Sequence, residues 1–351
     1  MTRRVVIISA GTDTRMGGVE RFSASLEDAL RDDSQITRLS PQHVVPVNIA
    51  RFGMKDLWQS RDTIHKLDGT QYDLAISNGT LGWGMPKRPP RIHVFHGTMP
   101  TSAWCNHGLL RRERLRSAVA GGVAEWLAGR SATTVAVSQS AAEEVWRFYR
   151  IRVDSVIENG VDTTLFAPRD KAEARHRLKL SGVDKIALFV GRAEPRKGAA
   201  VALHAAGAAG FTLAVAGPRP VGGALHLGLL DPEELSWAYS AADCVVFPTS
   251  YEACSFVVLE ALACGVPLVT TPVGWARDLG SRVPGYSELL VPPRPIDIVG
   301  ELQVVRDGQL DWLTRAARDL VARHNSIGSF NAAWRQVADR STNAGPESTA
   351  G

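Results

Sequence analysis

The sequence predicts an α/β protein built from two Rossmann-like halves, each around a mostly parallel sheet. Three observations carry that prediction. Short β-branched runs alternate with helical segments along most of the chain. The alternation pauses near residues 160–170 and then resumes as a second series. At 351 residues and 44% hydrophobic, the chain is long for one core and natural for two.

In the first half, residues 5–10 read as a strand and 20–30 as a helix, followed by strands at 73–77 and 91–95. Residues 115–127 read as a helix, 133–137 as a strand and 141–149 as a helix, with Ser140 and Glu143 at capping-box spacing. After the pause around Asn159-Gly160, a charged helix opens the second half. Its strands fall at 186–190, 212–216, 244–247 and 268–271. The expected division is 1–165 and 166–324, with a further helix near 325–340 and a polar, disordered tail at 342–351.

Composition narrows the function. A net charge of +4 suits an anionic small ligand and does not call for nucleic acid. The four cysteines, Cys105, Cys244, Cys254 and Cys264, show no CxxC spacing, which predicts reduced thiols in a cytoplasmic protein. The apolar run after Met1 is too short for a signal peptide, and no run is long enough to span a bilayer. There is no Asp-x-Asp and no His/Cys cluster with ligand spacing, so neither a metal nor a cofactor is expected.

Four segments carry chemistry. Val190-Gly191-Arg192 to Arg196-Lys197-Gly198 joins a strand to a helix. Arg192 can fork two phosphate oxygens, and Lys197 adds a point charge. Met16-Gly17-Gly18 opens the first helix with backbone N–H groups suited to phosphate, but it is not GxGxxG, so a dinucleotide dehydrogenase is not expected. Glu252 and Glu260 bracket seven residues, one in a loop and one on an apolar helix. Glycosidase acids must face one bond across roughly 5–9 Å, which this placement does not offer. His96 ends the strand Ile92-His93-Val94-Phe95, at the sheet edge where ligands bind. His93 reads as packing.

The segment from Tyr251 to Pro267, taken with these two loops, resembles the Glu-x7-Glu motif and companion loops of retaining GT-B glycosyltransferases of the family 4 type. The matches run from about residue 5 to about residue 280. The resemblance implies a GT-B fold, with two Rossmann-like domains facing each other across a cleft. The first would be the acceptor domain, onto which the C-terminal helix packs back, and the second the donor domain. It implies retaining transfer of a hexose-type sugar from a nucleoside diphosphate, UDP rather than GDP, to an acceptor hydroxyl, without metal. His96, Glu252, Arg192 and Lys197 then form the catalytic set. Gly17, Gly18, Gly191, Arg192 and Lys197 meet the phosphates, and Glu260 accepts from ribose. The backbone at Leu230 and Asp231 lies beside the nucleobase. Glu252 takes the sugar hydroxyls, while amides from Cys254, Ser255, Phe256 and Val257 reach the sugar and β-phosphate.

Ala253 and Ser255 stand where the family often has glycine, which bears on donor choice. A non-catalytic nucleotide-sugar-binding protein and a GT-B epimerase remain alternatives. The acceptor, whether saccharide, lipid-linked intermediate or aglycone, is not specified. The basic, amphipathic stretch 109–127 suits peripheral contact with the cytoplasmic face of a membrane.

Overall fold

The computed structural model describes residues 2–9, 11, 17–41, 55–65, 67–86, 88–106, 110–308 and 310–343. The chain divides into two compact units, 1–159 with 328–351, and 160–327. Expectations for residue 10, the start of the basic stretch at 109, and the tail beyond 343 lie outside the described residues.

The first unit holds a six-stranded sheet of β1 (Arg3–Ile8), β2 (Ser34–Leu39), β3 (Leu74–Asn78), β4 (Arg91–Phe95), β5 (Thr133–Ala136) and β6 (Ser155–Val156). The order is β2-β1-β3-β4-β5-β6 and every pairing is parallel. Val5, Val6, Ile7 and Ile8 are all fully buried, as a strand covered on both faces requires. Around the sheet run α1 (Gly18–Leu30), α2 (Lys55–Ile64), α3 (Met99–Cys105), α4 (Arg111–Gly129) and α5 (Gln139–Tyr149).

The second unit is a five-stranded parallel sheet of β7 (Ile186–Val190), β8 (Thr212–Ala216), β9 (Leu225–Gly228), β10 (Cys244–Phe247) and β11 (Leu268–Thr270), in the order β11-β10-β7-β8-β9. It carries α6 (Lys171–Arg177), α7 (Ala199–Ala208), α8 (Pro232–Ala241), α9 (Phe256–Ala263), α10 (Trp275–Arg282), α11 (Pro295–Arg306) and α12 (Asp311–His324). In both sheets the strand order reverses once, between β1 and β3 and between β7 and β10. Such reversals open a crevice at the carboxyl ends of the strands, and that is where α/β proteins bind ligands.

The last helix, α13 (Ile327–Asn343), belongs from residue 328 onward to the first unit. Phe330 and Trp334 pack edge-on against Phe22 of α1, with ring centroids 5.8 and 5.7 Å away. Arg335 donates to the Ala29 carbonyl at 2.7 Å, and Asp339 pairs with Arg3 at 2.9 Å. The helix extends through Asn343, so Thr342 and Asn343 are helical.

Several expectations are revised. The units part at 159/160, not after 165. The Val161 N–H bonds to the Asn325 carbonyl, the Leu165 carbonyl accepts from Ser236 Oγ, and Phe166 is buried beside Tyr239, which binds 161–166 to the second unit. Ser138, not Ser140, caps α5. Its hydroxyl accepts from the Ala141 N–H, leaving Ser140 buried in the first turn. β2 escaped sequence reading because Ser34-Gln35-Ile36-Thr37-Arg38-Leu39 is a mostly half-buried edge strand without an apolar run.

α4 is turned inside out relative to a simple amphipathic reading. Its buried face is made of small residues, Ala118, Gly121, Gly122, Ala124, Ala128 and Gly129, with the carboxylate of Glu125. Leu115, Val119, Val123 and Trp126 are exposed. Glycine at 121 and 129 lets the backbone approach Met99 and Phe95, where a Cβ would collide with those side chains.

Trp334 is fully buried, so Trp334→Ala is expected to cost the first unit about 3–5 kcal/mol. Urea unfolding followed by circular dichroism checks this, and an unchanged transition would argue against the packing role of α13.

Candidate functional site

Each unit gathers polar side chains at its own strand-order reversal. In the second unit the loops leaving β7 and β10 meet. Gly191 has φ +137°, and Arg192 beyond it pairs with Glu194 at 3.2 Å, both well exposed. Pro195, Arg196 and Lys197 form a single 3-10 turn that Gly198 ends with φ +78°. A Cβ on Gly198 would strike the Pro248 carbonyl, so only glycine lets the two loops come this close.

Across from that turn stands Glu252. Its Oε1 accepts from Lys197 Nζ and lies 3.3 Å from Arg196 Nη1. The three side chains are 17%, 16% and 21% exposed respectively. Arg196 Nη1 also donates to the Tyr251 carbonyl, while the Arg196 carbonyl accepts from the Ser250 N–H at 2.8 Å and the Ser250 hydroxyl at 3.1 Å. The Lys197 ammonium lies 5.2 Å from the Phe247 ring centroid. Residues 195–198 and 249–252 are therefore one hydrogen-bonded body carrying two cations on one carboxylate. Arg196 went unnoticed in the sequence, although it adjoins Lys197 in the same basic turn.

From Glu252 the chain turns into α9. Ser255 is the N-cap without a side-chain cap bond. Cys254, Ser255 and Phe256 are buried, and Val257 is half-buried. The Ala253 carbonyl accepts from the Trp275 N–H at 2.7 Å. Gly274, at φ +54°, passes so close beneath that any Cβ there would collide with the Glu252 and Ala253 carbonyls. Ser255 has φ −82°, and Ala253 is not among the described non-glycine residues with positive φ, so the backbone at neither position demands glycine.

Glu260 is fully closed off from solvent, and Tyr239 donates its hydroxyl to Glu260 Oε2 at 3.0 Å. A ribose hydroxyl would reach this carboxylate only after its neighbours move. Asp231 is occupied as the N-cap of α8, in a reciprocal capping box with Glu234, and Leu230 is half-buried beside it. The thiols of Cys244 and Cys264 are pushed up by burial, Cys264 to about 12, so neither is a ready nucleophile.

In the first unit the reversal lies between β1 and β3. Gly17 is the extended N-cap of α1, and the Glu20 side chain folds back on it. Gly18 opens onto free space. His96 follows β4, half-buried, with its Nε2 2.9 Å from Asn78 Oδ1 and its ring edge-on to Phe22 at 4.6 Å. Gly17, Gly18 and His96 are thus linked through α1. Asn78 was not singled out in the sequence, yet it was legible as a polar residue closing an apolar strand at the carboxyl edge. His93 is fully buried, with Nδ1 2.9 Å from Ser77 Oγ, a packing residue. Among the described residues no group of three or more His, Cys, Asp or Glu could hold a metal ion.

Comparison with known proteins finds likeness in both units. The family described as Glycosyltransferase Family 4 matches residues 5–165, and Glycosyl transferases group 1 matches 184–303. The two matches fall one in each unit, and the fold is GT-B. A D-inositol 3-phosphate glycosyltransferase of Segniliparus rotundus is 29% identical over 71% of this chain. One of Frankia alni is 35% identical over 50%. The chain spans 63% and 50% of the lengths of these two relatives. Among solved structures, sucrose-phosphate synthase of Thermosynechococcus elongatus superposes with TM-score 0.76 at 20% identity, covering 96% of this chain and 98% of that one. Anabaena HepE with UDP and glucose gives 0.72 at 17%, covering 97% and 100%. At these identities the structural likeness speaks for the fold.

Two histidines make the first unit sensitive to acid. Burial, and secondarily the charge of His96, lowers the His93 pKa from 6.5 to about 3, and burial lowers that of His96 to about 4. The unfolded chain therefore takes up protons near pH 6.5 that the folded chain refuses until about 4 or about 3. Stability rises with pH across that window and falls as the pH drops through it. The expected outcome is a lower thermal midpoint at pH 5 than at pH 7, with a smaller difference in His96→Gln. Equal midpoints for the wild type would contradict it.

Proposed function

We propose that this glycosyltransferase moves a hexose-type sugar from a nucleoside diphosphate, UDP rather than GDP, to an acceptor hydroxyl with retention of configuration. The observation that carries the reading is the pair of cations, Lys197 and Arg196, held on Glu252 at the β7/β10 reversal. UDP is the nucleotide in the HepE structures, one of which contains UDP-glucose.

In this reading Lys197 leaves Glu252 for the β-phosphate, and Arg192 leaves the exposed pair with Glu194 to join it. The bond between the anomeric carbon and the phosphate oxygen breaks with its electron pair going to the diphosphate. The two cations stabilise that developing charge. The sugar passes through an oxocarbenium-like state, and the acceptor oxygen bonds on the same face. The departing phosphate oxygen takes the acceptor proton. Glu252 and His96 bind sugar hydroxyls. Gly17, Gly18, Gly191 and the amides of Cys254, Ser255, Phe256 and Val257 meet the phosphates and sugar. Leu230 and Asp231 flank the base, and Glu260 serves the ribose once Tyr239 gives way. Charge neutralisation comes from side chains and helix ends, without a divalent ion.

The exposed stripe Leu115, Val119, Val123 and Trp126 is rimmed by Arg112, Arg116 and Arg130. It suits an anionic bilayer and hence a lipid-linked acceptor. Among the described residues no helix is long and apolar enough to cross a membrane.

Release of UDP from UDP-sugars, measured with EDTA present throughout, tests the transfer reading. Lys197→Ala is expected to lower turnover about a hundredfold or more. Equal release by wild type and variant would defeat it. Sedimentation with phosphatidylglycerol vesicles tests the membrane reading. Binding is expected for the wild type and its loss for Val119→Glu with Val123→Glu, whereas wild type left in the supernatant would exclude it.

A further inference from the structure

His96 sits on an amide whose orientation is forced. Asn78, 3% exposed, places its Nδ2 2.9 Å from the carbonyl of Ile8, the last residue of β1. A carbonyl can only accept, so the amide group facing it must be the NH2. The other end of that amide is then the oxygen, Oδ1, and it lies 2.9 Å from His96 Nε2. Oδ1 is itself only an acceptor. Two acceptors cannot share a hydrogen bond, so Nε2 must carry the hydrogen. In a neutral imidazole the other nitrogen, Nδ1, then has a lone pair and no proton.

Nothing in the surroundings undoes this assignment. The edge-on contact with Phe22, at an interplanar angle of 82°, holds the ring plane. His96 retains open surface, and no hydrogen bond to its Nδ1 is present among the described residues. The contrast with His93, whose Nε2 is sealed without a partner, marks His96 as the ring built to meet something.

We infer that Asn78 is a positioning residue that locks His96 in the Nε2–H tautomer, so that Nδ1 can only accept. Resting on the proposed placement of His96 at the donor, this specifies the group it recognises. The partner is a hydroxyl that brings its own hydrogen, as on a sugar ring, and not an ionised phosphate oxygen. It also removes His96 from the role of proton donor at that atom.

The test is spectroscopic. In protein labelled with 15N-histidine, long-range proton–nitrogen correlation reports the tautomer of each ring, and the His96 signals are assigned by their loss in His96→Gln. The wild type is expected to show Nε2 protonated and Nδ1 bare. Asn78→Asp, with one oxygen protonated to donate to the Ile8 carbonyl, keeps an acceptor facing Nε2 and is expected to keep that signature. Asn78→Ala is expected to lose the fixed tautomer and to raise the KM for UDP-glucose about tenfold, with a smaller change in kcat. A wild-type spectrum with Nδ1 protonated overturns the inference, as does an unchanged His96 signature in folded Asn78→Ala. If Asn78→Ala does not fold, the wild-type and Asn78→Asp spectra still decide. Adding UDP-glucose to the labelled wild type separates the two readings. An Nε2–H tautomer whose signals do not move with the sugar nucleotide upholds the tautomer lock and sinks the placement of His96 at the donor.

Discussion

A single carboxylate organises the second unit's site. Glu252 is mostly buried, and an isolated charge in that position would cost several kcal/mol. Lys197 and Arg196 together offset that cost, and in doing so they tie the loop leaving β7 to the loop leaving β10. The tie has a further property. Because two cations share one acid, one of them can turn toward an arriving anion while the other stays. The loop geometry therefore does not depend on a ligand, and binding does not have to organise it.

The surrounding glycines and carbonyls serve that arrangement. Gly198 and Gly274 occur where the chain must pass within touching distance of another backbone, at Pro248 and at Glu252–Ala253. At Ala253 and Ser255 the backbone conformation does not require glycine. The first unit solves a similar problem without charge. Asn78 reaches across the β1/β3 reversal, satisfying a strand-end carbonyl on one side and orienting an imidazole on the other. In both units apolar strands supply the floor, and polar residues gather at and beyond their carboxyl ends.

Much of this was legible in the sequence. Strands such as 186–190 and 244–247 are continuous apolar runs, and Lys197, Glu252 and His96 lie in the segments that follow such runs. What escaped has a common cause. Arg196, Asn78 and Gly274 matter because of what folding brings beside them, and no local period records that. The hydroxyl that caps α5 was misjudged by two residues because Ser138 and Ser140 carry the same signal. The outward face of α4 was hidden for another reason. Helical periodicity identifies an apolar stripe but not whether that stripe or the small-residue stripe opposite is buried, and tight packing against Met99, Pro100 and Phe95 selects the small one.

The chain leaves its first unit at residue 159 and returns to it at 328, so the second unit is an uninterrupted insertion. During synthesis, residues 160–327 are complete before α13 emerges. The earlier sheet must wait, with Phe22 lacking its Phe330 and Trp334 partners, until α13 has been made. The unit whose sheet is translated first is thus completed after the second one, and for that interval the Phe22 ring lacks its aromatic cover.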